Sequence, residues 1–300
     1  MALHGPNNKD LAIILAEVGE KPRTLEQNLV ILKNWLSFQP HLPQIVDDNL
    51  LAVFLRGCKH NVERTKNKLD KYYTGRAAVP ELFSNRDPFS KEIRDGSRAM
   101  NIYPLPQLSP GGYRVTMHRF HSFDPNQLDV QCIFKYLFML ADIRILEETP
   151  ISGDIYLFDL QDIVLSHCAK LASPLLRKTL ILAQEAFPQR LKEIHVFNAP
   201  PFVDWILNFF KPLMKEKMRN RFHIHNGHES LYKHVPQHIL PTDYGGEDDW
   251  MKKLQSYHEW FKKQENVKAD EKRRPYKDHN YNTSYQLFGY EGAFRTLNID

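Results

Sequence analysis

The chain has 300 residues, of which 42% are hydrophobic and 25% are charged, and its formal net charge is +4. These proportions are typical of a globular protein with material for one large domain and a smaller one. No apolar run approaches the roughly 20 residues that a membrane-spanning helix needs. The three cysteines (Cys58, Cys132 and Cys168) are odd in number and lack metal-binding spacing, which favours a reducing cytoplasm. The first residues lack the basic start of a secretory signal, so we expect a cytoplasmic protein.

The first ninety residues predict a small bundle of short helices, assigned as a domain over 1–90. Thr24 and Gln27 suit a capping box, and leucines follow them at helical spacing. Asp47 and Asn61 are in position to cap a second and a third helix. The bundle is expected to end around residues 79–80.

The middle of the chain, assigned as a domain over 91–248, alternates strand and helix patterns. Asp124-Pro125 followed by Gln127 predicts a helix start, and the helix expected from there to about Glu147 is apolar almost all round and should be buried. A second helical run, 166–187, is interrupted at Pro174. Strands separated by helices of this length predict an α/β fold with a mainly parallel sheet and flanking helices. The predicted strands are 113–120, 154–160, 194–198 and 221–225.

The last part of the chain, assigned as 249–300, predicts a helix and a tail. Trp250, Leu254, Tyr257 and Phe261 would share one face of that helix. Residues 264–285 are charged or polar with few large aliphatic side chains, which is typical of a linker. The end, LFGYEGAFRTLNID, is apolar enough to dock back onto the body.

The segment after the double proline 200–201 is the most informative of the chain. On a helix that starts near Phe202, Asp204, Asn208 and Lys211 form one narrow polar stripe, and the remaining side chains are large and apolar. A core helix of a large domain would show this pattern. So would a mobile lid over a hydrophobic cavity, which could open where a lipid surface receives its apolar side chains.

Positive charge flanks this segment. Residues 170–225 contain ten Lys and Arg but four Asp and Glu, a difference of +6. An anionic membrane attracts each such residue by about 1 kcal/mol. An ordinary solvated basic face is the alternative. Nucleic acid is not expected as a partner, because no zinc-finger spacing or aromatic RNA-binding strand is present.

Catalytic signals are weak. There is no G-x-S-x-G elbow, no phosphate-binding glycine loop and no H-E-x-x-H. Asp159 at a strand end and Cys168 beside His167 are more typical of structural roles. No carboxylate or cysteine lies at convincing spacing from the histidines, so neither a metal nor a cofactor is expected. The histidines in question are 223, 225, 228, 234 and 238.

Four motifs in order are similar to those of the CRAL-TRIO family of lipid-transfer proteins. They are LAVFLRGCKHNVERTKNKLDKYY, GDIYLFDL, FPQRLKEIHVFNAPPF and LPTDYGGE, and the resemblance covers most of residues 25–250. The segments RGCKHNVERTK and GYEGAFRTLNID are most similar to an insect branch of the tocopherol-transfer group. The resemblance implies an N-terminal helical domain followed by an α/β domain, with a mobile gate helix over a hydrophobic cavity.

The resemblance also implies site residues. The gate carries over as Phe202, Ile206 and Phe209, with Phe210 beside them. A phosphoinositide-binding patch would consist of Arg190, Lys192, Lys217 and Arg221. The ligand would lie against Ile133, Tyr136, Leu137, Leu140, Phe158, Leu165, Phe187 and Ile194.

The expected function is that of an intracellular carrier rather than an enzyme. It would bind one hydrophobic ligand, such as a tocopherol, a retinoid or a carotenoid, and exchange it with phosphoinositide-containing membranes, to which it binds peripherally and transiently. The alternative is a trafficking or signalling adaptor that phosphoinositides recruit to membranes. The identity of the ligand does not follow from the sequence, because pocket-facing residues vary within the family.

Overall fold

The computed structural model describes residues 3–21, 23–121, 124–225, 228–240, 250–274 and 287–288. Helices fill the N-terminal part, as the sequence predicts. They are α1 (Asn8–Val18), α2 (Thr24–Ser37), α3 (Asp48–Gly57), α4 (Val62–Ala78), α5 (Pro80–Phe83) and α6 (Lys91–Ala99).

Side-chain caps start α3 and α4 as expected. The Asp47 carboxylate accepts hydrogen bonds from the backbone N–H groups of Asn49 and Leu50, and the Asn61 side chain accepts one from Arg64. The capping box expected at Thr24 is wrong, because Thr24 is already the first helical residue. Arg23 occupies the cap position with φ of 64° and makes no side-chain cap.

A five-stranded sheet follows in the order β1 to β5, with strands β1 (Met100–Ser109), β2 (Tyr113–Phe120), β3 (Gly153–Asp159), β4 (Leu191–Phe197) and β5 (Phe222–Ile224). β2 to β5 are parallel neighbours, and they confirm the predicted parallel sheet. β1 was not predicted. It pairs antiparallel to β2 at the edge, with a register shift between Pro104 and Leu108, and an edge strand tolerates such prolines.

The remaining helices are α7 (Val130–Glu147), α8 (Leu165–Leu171), α9 (Pro174–Glu185), α10 (Val203–Phe210), α11 (Glu216–Arg219), α12 (His228–Leu231), α13 (Trp250–Ser256) and α14 (His258–Asn266). α7 starts later than expected, because residues 125–127 form a separate 3₁₀ turn. The Asp129 carboxylate caps α7 by accepting from the N–H groups of Gln131 and Cys132. None of the helices within the described residues is long and apolar enough to cross a membrane.

The C-terminal part departs from the prediction in two places. The single helix expected around Tyr257 is two helices that meet there. Residues 264–274 are not a solvated linker: Ala269 is buried, and the Arg274 guanidinium lies 3.2 Å from the Asp70 carboxylate. Leu287 and Phe288 are also buried. The remainder of the predicted linker and tail, 275–286 and 289–300, lies outside the described residues.

A buried charge cluster, which we call the Asp142 cluster, joins the N-terminal helices to α7. The Asp142 carboxylate accepts hydrogen bonds from the Arg86 guanidinium at 2.7 Å, the Tyr72 hydroxyl at 2.8 Å and the Arg76 guanidinium. Burial opposes ionisation of Asp142, but the two arginines outweigh it and hold the pKa of that carboxyl below its usual range. The cluster therefore fixes the outer side of α7 to α4 and to the residues after α5.

Candidate functional site

A cavity of about 290 Å³ lies between the sheet, α7, α9 and α10, and its lining is mostly apolar. The alternation of side chains along each strand places residues two apart on the same face. His118 of β2, Phe158 of β3, and Ile194 and Val196 of β4 therefore line the cavity. A buried, mostly apolar space near this size is typical of a site for a small hydrophobic molecule, which takes roughly 300–1,000 Å³.

α7 supplies the wall opposite the sheet. Ile133, Leu137, Leu140, Ala141 and Arg144 recur at helical spacing and line the cavity. Because the helix is apolar almost all round, its sequence does not reveal which side faces the cavity. The structure shows that the other side carries the Asp142 cluster.

Arg144 is the charged residue of this wall, and its charge is balanced within the protein. Its guanidinium lies 2.6 Å from the Glu148 carboxylate and 3.0 Å from the Asp154 carboxylate, and it donates a hydrogen bond to the Thr116 hydroxyl. Burial opposes the charge, but the two carboxylates outweigh burial and raise the pKa of Arg144. The guanidinium therefore does not oblige the cavity to take an anionic ligand.

Three residues of the cavity lining have a buried polar atom with no hydrogen-bond partner among the described residues. They are Arg144 at Nε, whose charge is balanced, and the uncharged groups His118 at Nδ1 and Thr179 at Oγ1. His118 stacks on Phe158, with ring centres 4.5 Å apart, and burial lowers its pKa to about 4. A neutral imidazole and a hydroxyl can each pair with one polar group of an otherwise apolar ligand.

Six of the eight residues predicted to contact a ligand line this cavity: Ile133, Leu137, Leu140, Phe158, Phe187 and Ile194. Tyr136 is buried but is not among the lining residues. Leu165 does not line the cavity either: it is the first residue of α8 and is 50% exposed. Contact of the six with a ligand stays a prediction.

α10 also lines the cavity, and we call it the gate helix. Val203, Leu207 and Phe210, at i, i+4 and i+7, line the cavity. Asp204 and Asn208 of the predicted polar stripe are exposed. The amphipathic orientation expected from the sequence is thus the one that the structure shows.

The four residues predicted for the gate are not equivalent. Phe210 lines the cavity, whereas Phe202 is half-buried against the core beside it. Ile206 and Phe209 belong to the gate helix, but their side chains lie outside what the structure describes. Leu207, which the prediction left out, is buried and faces the cavity. Its spacing from Val203 and Phe210 is the sequence signal that could have identified it.

The predicted phosphoinositide-binding residues divide into two groups. Lys192, Lys217 and Arg221 lie around the first residues of β4 and β5, where the N–H of Ile194 donates to the carbonyl of Arg221. Lys192 and Lys217 are exposed. Arg190 is instead engaged within the protein, because its guanidinium lies 2.8 Å from the Glu17 carboxylate of α1.

The residues weighed for catalysis hold structural contacts. Asp159 accepts hydrogen bonds from the N–H of Gln161 and the side-chain amide of Asn198, which ties the ends of β3 and β4 together. His167 accepts from the N–H of Val164 at the start of α8. Burial raises the pKa of the Cys168 thiol to about 11, which disfavours a thiolate.

These features define a mainly parallel α/β domain with a mostly apolar internal cavity, and comparison with known proteins identifies its family. Residues 99–246 match the model of the CRAL/TRIO domain, and residues 21–93 match that of the Pinta-like UBA domain. The first match includes residues 240–246 of the motif predicted at 240–247, although residues 241–247 lie outside the described ones.

The chain is 30% identical to the human alpha-tocopherol transfer protein-like protein over 233 residues, which cover 77% of this chain and 68% of that protein. It is 25% identical to clavesin-2 of Rattus norvegicus over 239 residues, 77% of this chain and 71% of the relative. The crystal structure of Sfh5 superposes with a TM-score of 0.49 and 14% identity, over 81% of this chain and 97% of that one. The chain belongs to the CRAL-TRIO family, whose members typically bind and transfer lipophilic ligands.

Proposed function

We propose that this protein is a non-enzymatic carrier that holds one hydrophobic ligand in the cavity and exchanges it with anionic, phosphoinositide-containing membranes. The observation that carries the proposal is the mostly apolar cavity closed by the gate helix. Removing apolar surface from water contributes about 25 cal/mol per Å², so an apolar ligand gains from entering this space.

The polar groups of the cavity narrow the class of ligand. A molecule that is apolar along most of its length but carries one hydroxyl or carbonyl group would pair with Thr179 or His118. A charged headgroup has no uncompensated countercharge in the wall, because Arg144 is paired with Glu148 and Asp154. Lipophilic alcohols and aldehydes, such as tocopherols and retinoids, are therefore favoured over phospholipids.

Exchange with a membrane requires the gate helix to expose its apolar face. Trp205 already extends outward with 47% of its surface exposed. The exposed Lys217 lies on α11, in the same β4–β5 connection as the gate helix, and the exposed Lys192 lies at the start of β4. A membrane that attracts these cations would receive the gate side chains, which are costly to expose to water.

Transfer of a fluorescent tocopherol from the protein to vesicles with and without phosphoinositide tests this function. The double variant Lys217→Glu/Arg221→Glu should weaken vesicle association at least about 30-fold and slow transfer accordingly, because each lost cation costs about 1 kcal/mol and each new carboxylate is also repelled by the membrane. The charge-matched control Lys262→Glu/Lys263→Glu on α14 should leave transfer unchanged. Ligand retention without vesicles should be the same in all three proteins.

Equal transfer by the wild type and the Lys217→Glu/Arg221→Glu variant would contradict the proposed membrane contact. Vesicle binding by protein that retains no lipophile would instead support an adaptor recruited by phosphoinositides. The transfer assay and the vesicle-binding assay distinguish a carrier from an adaptor, because the first reports movement of the ligand and the second reports membrane binding alone.

A further inference from the structure

The face of β4 that points away from the cavity carries a cluster of histidines. Ile194 and Val196 face the cavity, so Glu193 and His195 point to the opposite side of the sheet. β5 lies parallel to β4 with His223 opposite His195. The cluster is therefore separated from the cavity by the sheet itself.

A third side chain approaches Glu193 and His195 from the segment after α12. The Nδ1 atom of His234 lies 3.3 Å from the Glu193 Oε2 atom, and the His195 Nε2 atom lies 3.1 Å from the same oxygen. The three side chains can offer ligand atoms that all lie within 4.8 Å of one another. Two ligands about 2.05 Å from a tetrahedral Zn²⁺ ion are about 3.3 Å apart. The two spacings to the Glu193 oxygen are close to this value, and the third pair of ligand atoms lies within 4.8 Å.

A hydrogen-bond relay holds the ring of His195 from behind. Its Nδ1 atom lies 2.8 Å from the Nε2 atom of His225, and the Nδ1 atom of His225 lies 2.8 Å from the Ser230 hydroxyl oxygen. With Nδ1 protonated on both rings, His195 donates to His225 and His225 donates to Ser230. That arrangement leaves the Nε2 lone pair of His195 directed at the cluster, as metal-bound histidines require.

We propose that Glu193, His195 and His234 form a binding site for a divalent transition-metal ion, with Zn²⁺ as the best-suited ion. Two imidazoles and one carboxylate suit Zn²⁺, whereas Ca²⁺ and Mg²⁺ prefer sets of oxygen ligands. Three protein ligands leave a fourth position for water or for His223. The ring centre of His223 lies 5.0 Å from the ring centre of His195 and 4.9 Å from that of His234.

The site would act as a cross-link within the part of the fold that carries the gate helix. Glu193 and His195 belong to β4, which precedes the gate helix, and His234 lies beyond β5, which follows it. A metal ion bound by all three fixes the two ends of the connection that contains the gate. Because the cluster lies on the other face of the sheet, the proposal does not depend on the identity of the ligand in the cavity.

Titration of Zn²⁺ into the full chain tests the site, with any purification tag removed and bound metal first stripped by a chelator. Calorimetry should show one Zn²⁺ ion per chain, and bound Co²⁺ should give the visible absorption of a tetrahedral complex. His234→Ala and Glu193→Gln should each weaken Zn²⁺ binding at least as much as the 10- to 100-fold typical of lost outer-shell partners. His238→Ala, a neighbouring exposed histidine outside the cluster, is the matched control and should bind normally.

His234 is exposed and lies outside the helices and strands, so the His234→Ala variant should fold, and circular dichroism in chelator verifies it. Zn²⁺ should raise the thermal midpoint of the wild type and of His238→Ala, but not that of His234→Ala. Absence of saturable binding to the wild type would overturn the proposal. So would binding that His234→Ala and Glu193→Gln leave intact, because the ion would then occupy other residues.

Discussion

Two helices line the cavity, and different interactions hold them in place. α7 has 18 residues, begins with the Asp129 cap and is fixed from behind by the Asp142 cluster. The gate helix has 8 residues, and its cap position is Phe202, whose side chain cannot accept a hydrogen bond. Its described cavity-facing side chains, Val203, Leu207 and Phe210, make apolar contacts.

Under the proposed function, this difference would separate a preformed wall from a movable one. A helix as short as the gate is marginal on its own and depends on the packing of its apolar face. Elements of this kind open at low free-energy cost compared with elements fixed by buried charge networks. In the proposed carrier, the wall that keeps its shape and the helix that moves are therefore held by different interactions.

The largest effect is expected from the Asp142 cluster. Asp142→Ala leaves Arg76 and Arg86 buried without their counter-ion, which costs about 3–5 kcal/mol of unfolding free energy. Urea unfolding measures this loss. Asp48→Ala, which removes an exposed ion pair with Lys33, should cost less than about 1 kcal/mol. A similar loss in both variants would show that α7 is not anchored by this cluster.

The cavity wall should also make the stability of the protein depend on pH. Burial keeps the pKa of His118 at about 4 in the folded state, against 6.5 in the unfolded chain. The unfolded state therefore binds more protons below pH 6.5, and stability contributed by neutral His118 is lost as the pH falls from 6.5 to 4. The loss should be on the order of 3 kcal/mol.

Urea unfolding at a series of pH values, with chelator present, measures this loss in the wild type and in His118→Phe. The phenyl ring keeps the stacking on Phe158 but cannot bind a proton, so the variant should lose less stability on acidification. Some dependence should remain, because burial and the neighbouring His234 also lower the pKa of His195 to about 4. Equal slopes in the two proteins would show that His118 is not the group that titrates.

On the gate side, a smaller effect is expected from the exposed face. Burying the half-exposed Trp205 ring in a lipid surface contributes on the order of 1–1.5 kcal/mol, so Trp205→Ala should weaken vesicle association about 10-fold. Sedimentation with phosphoinositide vesicles measures this. Phe38→Ala, which removes an exposed aromatic ring from the end of α2, serves as control. Equal weakening of vesicle association in both variants would show that the gate helix does not contact the membrane.

The smallest effect concerns the polar group of the ligand. Thr179→Val removes a hydroxyl that has no partner among the described residues, so the stability of the protein without ligand should not fall. Affinity for a lipophilic alcohol should drop about 2- to 10-fold, whereas affinity for the matching hydrocarbon should not change. Thr74→Val removes a hydroxyl that donates a hydrogen bond to the carbonyl of Asp70, and this control should change the affinity for neither molecule. Loss of affinity for both molecules would indicate a packing effect instead.

Much of this architecture was predictable because it follows from local patterns. The strands β2 to β5, the buried α7 and the amphipathic gate all have the expected periodicity. β1 was missed because Pro104 and Pro106 argue against a strand, and the sequence does not show that this strand is at an edge.

Features that depend on contacts distant in the chain could not be predicted in the same way. Arg76 and Asp142 are 66 residues apart, and neither shows its partner in the sequence. The proposed metal site was not evident in the sequence, because Glu193 and His195 of β4 approach His234 only in the folded chain. The Asp142 cluster, which also forms from residues distant in the chain, determines which side of α7 faces the cavity.

Mass spectrometry of an organic extract of the purified protein tests the central claim most directly. The wild type should yield a lipophilic molecule in near-stoichiometric amount. Leu207→Asp, which places a charge in the cavity wall of the gate, should lose it, whereas Asn208→Asp on the exposed side should retain it. Equal lipid content in Leu207→Asp and the wild type would contradict the account, because the bound molecule would then lie outside the cavity that the gate helix closes.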